Sequence, residues 1–318
     1  MLLPDERMTL YIVIVLYKMK PTASETFQTL LRSLDAVAEE DLSYRILLYD
    51  NTPPPQPPTG LPNRVEYIAS AANTGLADAY NLAISRAHEG GFEWLLTLDQ
   101  DTDLPLDFIR KLIDVAKICG ARKEIAAIVP HIRAGSRDVS PNWFAGGVWP
   151  RWFQRDYMGV PKQAVYAFNS GTSVRISSVE SIGGYSPFFW LDYCDGYLYR
   201  QIERRGLKVY IAGHIHLQHD FSLLDVSNKM SLFRYRNSLE AGSAFYDIEM
   251  SWLAGYDHTL RLLMRYFKQT LRRESQEVRR ATITVFLRRV FMSRKRRIQE
   301  WTDAQVQRIT ATVVRPPQ

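Results

Sequence analysis

Asp99, Asp101 and Asp103 stand at every second position directly after the apolar run Trp94 to Leu98. In an extended chain alternate side chains point the same way, which predicts that Asp99 and Asp101 share a face. Carboxylates that close repel one another unless a cation joins them, and a hard, oxygen-preferring ion such as Mg²⁺ or Mn²⁺ is suited to that position. A solvated acidic turn leading into the helix near Pro105 is the other reading of the same residues. A second acidic pair, Asp192 and Asp195, stands at i and i+3, on one helical face if the helix has begun. Such a pair can hold one proton near neutrality and act as a general base, or it can cap the helix that follows.

The elements that must carry these residues alternate. Tyr11–Tyr17, Arg45–Tyr49, Val65–Ala69, Trp94–Leu98 and Glu124–Val129 read as strands, the first of them a continuous β-branched run typical of a central parallel strand. Helices are expected over 22–37, from Asn73 to about Glu89, and over 105–118. This alternation predicts an α/β, doubly wound, mostly parallel sheet, whose ligands bind beyond the carboxyl ends of the strands. Residues 130–167 are rich in glycine, proline and aromatics, as in a binding loop or a hairpin packed by its own rings. A helix over 195–205 and a last strand, Lys208–Ala212, complete the alternating region.

Beyond residue 220 the pattern turns helical, with helices expected over 227–246, 257–273 and 277–299. The charge is concentrated there. Residues 251–318 hold 15 basic and 5 acidic side chains, whereas the chain as a whole has a net charge of +6. The helix over 277–299 reads as a basic amphipathic segment that would lie on an anionic membrane surface, or else pack with a solvated basic face. No nucleic-acid-binding module accompanies the charge. The two cysteines, Cys119 and Cys194, form no metal or disulfide pattern and fit a reducing compartment. Neither a secretory signal nor a membrane-spanning stretch is expected.

Taken together, the motifs resemble glycosyltransferase family 2, which has the GT-A fold, and more narrowly its rhamnosyltransferase-like branch. They are Leu16-Tyr17, Tyr49-Asp50-Asn51, the segment Asn73 to Asn81, Leu98 to Thr102, Asn169-Ser-Gly-Thr172, Phe189 to Asp195, His219 and Arg234-Tyr-Arg-Asn237. The resemblance implies a GT-A catalytic domain over 1–220 (nucleotide half about 8–130, acceptor half 131–220) and a helical basic extension over 221–318. It implies donor-binding roles for Tyr17, Asp50, Asn73, Gly75, Asn81, Asp99 and Arg236, with Arg234 beside the last. It places Asp99, Asp101 and His219 around Mg²⁺ or Mn²⁺, and Gly171, Trp190 and Tyr193 on the acceptor side. Asp195 becomes the base, with Asp192 its neighbouring alternative. Tyr197 stands where the family commonly has a further acid, which keeps that choice open.

The implied reaction is metal-dependent, inverting transfer of a sugar from a nucleotide-diphosphate donor, with dTDP-rhamnose as the branch-level expectation. The acceptor would be a hydroxyl of a growing cell-surface glycan, free or lipid-linked. The enzyme would be cytoplasmic and peripheral on the inner face of the membrane. The alternative is a catalytically silent GT-A-like binding or scaffold protein.

Overall fold

The computed structural model describes residues 7–55, 57–70, 72–219 and 231–313, the last residue or two of the third and fourth stretches by backbone alone. Strands β1 (Met8–Leu16), β2 (Leu42–Asp50), β3 (Val65–Ala69) and β4 (Trp94–Asp99) form a parallel block with β1 between β2 and β4. Register fixes what lies at its rim. Leu16 pairs with Asp50 and Val15 with Asp99, so two carboxylates end the strands that flank β1. Helices α1 (Glu25–Asp35), α2 (Gly75–Glu89) and α3 (Phe108–Cys119) make the crossovers.

Past β4, the two-residue strand β5 (Thr102–Asp103) follows a turn, and β6 (Ile125–Ala134) extends the sheet. Residues 137–159 form the short strands β7 (Arg137–Ser140), β8 (Asn142–Ala145), β9 (Trp149–Trp152) and β10 (Met158–Gly159), with β8 and β9 a separate hairpin. Thus the aromatic stretch is a hairpin, in line with one of its two sequence readings. Strand β11 (Thr172–Arg175) inserts antiparallel between β4 and β6, and β12 (Lys208–His219) runs parallel to β6. Strand β12 is much longer than its apolar core predicts because β5, β6 and β10 all pair along it. Helices α4 (Ile176–Ser181) and α5 (Cys194–Arg204) follow β11.

Apolar side chains fill both faces of the sheet. Leu10, Ile12 and Ile14 meet α1 and α3 on one face, whereas Val13, Val15 and Leu95 meet α2 and the α5 layer on the other. This two-sided burial explains why β1 reads as an unbroken apolar run. Four helices complete the described chain: α6 (Leu232–Ile248), α7 (Trp252–Leu271), α8 (Gln276–Phe291) and α9 (Arg294–Val313). The single helix expected over 277–299 is therefore two. Met292 is extended, and the Ser293 hydroxyl accepts from the Arg296 N–H to start the second.

Three basic residues of that segment also sit differently from expectation. Arg289 is buried, and its guanidinium pairs with the buried Asp247 at 3.1 Å. Arg297 binds the same carboxylate at 2.7 and 2.9 Å, and Arg294 donates to the Asp247 carbonyl at 2.6 Å. These three cations clamp α6 to α8 and α9 instead of forming an outward membrane face. Buried Asp247 needs such partners, because an unpaired carboxylate there would be costly. No helix among the described residues is long and apolar enough to cross a membrane.

Candidate active site

The site lies at the carboxyl ends of β1, β2 and β4, where Tyr17 follows β1 and Asp50 and Asp99 end the two strands beside it. Tyr17 is exposed, its backbone N–H bound to the Gln100 side-chain oxygen at 2.8 Å. Asp50 is buried. Its Oδ2 accepts from the Tyr67 hydroxyl at 2.6 Å and its Oδ1 from the Thr52 N–H at 2.9 Å. Asp50 thus closes a turn, although no helix follows it. A carboxylate has acceptor sites beyond these two, and they remain for a ligand N–H.

Asp99 and Asp101 do not lie on one extended strand. Strand β4 ends at Asp99, and the chain turns through Gln100 and Asp101 before β5. The alternation argument fails there, because the period of two holds only within a strand. The turn is fixed from three sides. The Thr26 hydroxyl donates to the Asp99 carbonyl at 2.6 Å and accepts from the Thr102 N–H at 2.7 Å. The Ser24 hydroxyl donates to the Gln100 carbonyl at 2.8 Å, and Ser170 Oγ accepts from the Asp99 N–H at 3.2 Å. Both carboxylates are partly exposed. Across β5, Thr102 pairs with His219, so the backbone of that histidine runs beside the turn. The His219 side chain lies outside the described residues, and among these no three metal-ligating side chains converge. The chemistry of the set still fits Mg²⁺ or Mn²⁺: carboxylate oxygens at a strand end, with an imidazole-bearing residue one strand away.

Opposite the turn stands α5. The chain enters it through Tyr193, which adopts a left-handed backbone (φ 64°) and precedes the first helical residue. A tyrosine in that region is strained, by about 1 to 2 kcal/mol. The consequence is that Asp192 lies before the helix and Asp195 within its first turn, so they do not share a helical face. Asp192 is buried and turned to α6. Arg234 binds its Oδ1 through Nη2 at 3.0 Å, and the Asn237 amide donates to its Oδ2 at 2.5 Å.

Asp195 accepts from the Gly196 N–H at 2.7 Å. Its carboxyl keeps a proton up to about 7, chiefly because burial disfavours the charge. The negative charges of Asp99 and Asp192 push it the same way, while the Gly196 N–H works against them. Asp99 and Asp195 are therefore close enough for their charges to interact. The Tyr80 hydroxyl is buried within reach of both charges, and its own ionisation is raised first by burial, then by Asp99.

Several residues expected to touch ligand are instead committed to the fold. Asn73 accepts from the Gly75 N–H at 3.1 Å. Gly75 has φ +87°, and a Cβ there would lie 2.4 Å from the Trp190 carbonyl oxygen. That carbonyl accepts the N–H groups of Leu76 and Ala77 at 2.8 and 3.0 Å. The start of α2 is thus capped by Trp190, and those two N–H groups are not open to a diphosphate. The Asn81 amide is bound at both ends by the Tyr185 backbone, each at 2.8 Å. Gly171 is a packing glycine (φ +79°) whose Cβ would meet the Leu217 side chain at 2.3 Å. Trp190 is buried with the Arg308 guanidinium 5.0 Å from its ring, so its ring serves packing more than an acceptor sugar. Tyr193 packs on Phe245 at 5.2 Å. Arg236 is exposed, about 200° around α6 from Arg234, and it is Arg234, not Arg236, that binds Asp192.

Other residues emerge that the motifs alone did not single out. Asn51 binds the Gly75 carbonyl (2.9 Å) and the Thr74 N–H (3.1 Å), tying β2 to α2. Asn169 is buried between the Tyr185 hydroxyl (3.2 Å) and Cys194 Sγ (3.3 Å), which supports the start of α5. Asn169 and Ser170 lie in a quoted motif, and that proximity was the available signal. Thr26 gave none.

A mostly parallel sheet with carboxylates at the ends of neighbouring strands, facing a carboxylate at a helix start, is the arrangement of a GT-A glycosyltransferase. Residues 11–183, more than half of the chain, match Glycosyl transferase family 2, and the chain belongs to that family. Among solved structures it is similar to GalNAc-T7 with UDP, GalNAc and Mn²⁺, at 13% identity and TM-score 0.50, over 76% of this chain and 50% of that one. It is also similar to S. aureus TarS, at 10% identity and TM-score 0.49, over 81% of this chain and 43% of that one. The chain spans about half the length of these two structures. At such identities the likeness bears on the fold alone. No curated protein matches the sequence.

Proposed function

We propose that this glycosyltransferase moves a sugar from a nucleotide-diphosphate donor to an acceptor hydroxyl with inversion, using Asp195 as general base. The arrangement that carries the reading is Asp195 in the first turn of α5, close enough to Asp99 at the end of β4 to feel its charge, its carboxyl pushed up to about 7 chiefly by burial. A base near the working pH both exists in the charged form and accepts a proton effectively.

Asp50 receives a base N–H of the nucleotide, and exposed Tyr17 flanks it at the end of β1. Asp99 and Asp101, with His219, would hold Mg²⁺ or Mn²⁺. When bound, that ion supplies positive charge against the diphosphate leaving group. Asp195 orients the acceptor hydroxyl and takes its proton at a carboxylate oxygen while the hydroxyl oxygen bonds to the anomeric carbon. Asp192, held by Arg234 and Asn237, positions the entry to α5. The mechanism divides the chain into a catalytic domain over 1–220 and a helical extension over 221–318 that braces the base. For the sugar we favour rhamnose from dTDP-rhamnose, on the motif resemblance. For the acceptor we favour a growing cell-surface glycan on a lipid carrier, worked on at the inner face of the membrane.

A donor screen tests the reading. The protein is incubated with dTDP-rhamnose and a panel of UDP- and GDP-sugars, with Mn²⁺, Mg²⁺ or chelator, and thermal shift and nucleoside diphosphate release are read. Metal-dependent stabilisation and turnover of one donor is the expected result. Stabilisation by none, with any metal, contradicts the proposal.

A further inference from the structure

Helix α7 is divided into three arcs. Leu262 and Gln269 are buried, facing the neighbouring helices. Trp252, Tyr256, Leu260, Met264, Phe267 and Leu271 are all exposed, with Met264 at 69% and Leu271 at 84%. At roughly 100° per residue these six fall within an arc of roughly 120°, a continuous apolar stripe along the whole helix. Arg261, Arg265, Lys268 and Arg272 line one edge of that stripe, between it and the buried arc. Trp149 of the β8–β9 hairpin is also exposed, and its ring lies 5.3 Å from the Arg261 guanidinium, which brings an indole to that cationic edge.

A soluble protein seldom leaves so long an apolar stripe open without a partner for it. We propose that the outward face of α7, with Trp149 beside it, seats on an anionic lipid surface. The apolar arc would enter the acyl boundary, the cations would meet headgroup phosphates, and the indoles of Trp149 and Trp252 would lie at the interface. Charge decides between this occupant and a second copy of the chain. A self-complementary contact repeats one patch on both sides and needs acids to answer its cations. The one acid within α7 is Asp257, and it is already bound by Arg261. Phosphate headgroups supply the missing charge. The inference deepens the membrane-side reading of the acceptor, but it stands on a surface away from Asp195 and is tested without any donor.

The test is co-sedimentation of the full chain with phosphatidylcholine vesicles, with or without phosphatidylglycerol. Wild type should pellet with the anionic vesicles and much less with the neutral ones. The double variant Met264→Asp/Phe267→Asp changes exposed positions only. It should keep the wild-type melting temperature and lose at least about tenfold in vesicle affinity, since two buried apolar groups are replaced by charges. Lys268→Gln/Arg272→Gln should weaken binding to the anionic vesicles alone and flatten its salt dependence. Failure of wild type to pellet with anionic vesicles, or equal binding by the Asp variant, overturns the proposal. So does a dimer in sedimentation equilibrium that the Asp variant abolishes, which would assign the face to a second copy. Donor turnover in solution separates each of these outcomes from failure of the transferase reading.

Discussion

Arg234 Nη2 stands 3.0 Å from Asp192 Oδ1, joining the first turn of α6 to the approach of α5. Asn237 takes the other oxygen of the same carboxylate. Asp192 is thereby bound to the helical extension, and its neighbour Asp195 is the one turned to the site. Arg234→Ala should destabilise the fold by about 1 to 2 kcal/mol, a figure kept low because Arg234 is partly exposed. Turnover should fall while the pH at half-maximal rate moves little, since the base itself is intact. Denaturant unfolding and a pH–rate profile on one preparation check both points. A clear upward shift of that midpoint would instead point to Asp192, the carboxylate that loses its cation, as the base.

The pH dependence of activity follows from Asp195. Transfer or donor hydrolysis should rise with pH through about 7, where the carboxyl gives up its proton.

Stability should run the opposite way. Folded Asp195 holds its proton more tightly than the unfolded chain, where an aspartate has an ordinary value of about 3.9. Its contribution is therefore full below that value and is lost as pH rises through about 7. Asp195→Asn removes the penalty. The variant should be more stable than wild type by about 1 to 3 kcal/mol at pH 8 and nearly equal to it at pH 4, as read by denaturant unfolding.

Much of this arrangement is legible in the sequence, for physical reasons. Strands β1, β2 and β4 declare themselves because a strand covered on both faces must be apolar throughout. Their closing aspartates declare themselves because charge appears where burial ends. The left-handed Tyr193 does not, since no local signal marks a tyrosine for that conformation, and with it goes the separation of Asp192 from Asp195. Nor does the capping of α2 by Trp190, a partner far along the chain. The basic helix over 277–299 misleads in another way. Periodicity groups the arginines, but Asp247 on a different helix draws Arg289 and Arg297 inward, while Arg280, Lys295 and Arg296 stay exposed. The same limit hides α7, whose apolar arc reads as core until its neighbours are seen to occupy a different arc.

Gly75 offers a check on that long-range cap. Gly75→Ala would force a methyl against the Trp190 carbonyl at a backbone angle that alanine resists. A loss of about 2 to 4 kcal/mol is expected. Donor affinity, measured at temperatures where the variant is folded, should change little. A large loss of affinity with unchanged stability would return Gly75 to the nucleotide.

Asp247 offers another. Asp247→Ala leaves Arg289 and Arg297 without their shared carboxylate. Destabilisation of about 3 to 5 kcal/mol is expected, with little dependence on salt because Arg289 and Asp247 are buried. An exposed, screened cluster would instead lose its effect at high salt.

The most direct measurement compares wild type and Asp195→Asn with whichever nucleotide sugar and metal stabilise the protein in the donor screen. Donor binding is read by thermal shift, and turnover by nucleoside diphosphate release across pH 5 to about 9, a range spanning the carboxyl's transition. The variant should bind donor as tightly as wild type and lose at least about a hundredfold in rate, with no rise through about 7. Equal turnover by the variant, or a wild-type rate flat across that range, would contradict Asp195 as the base.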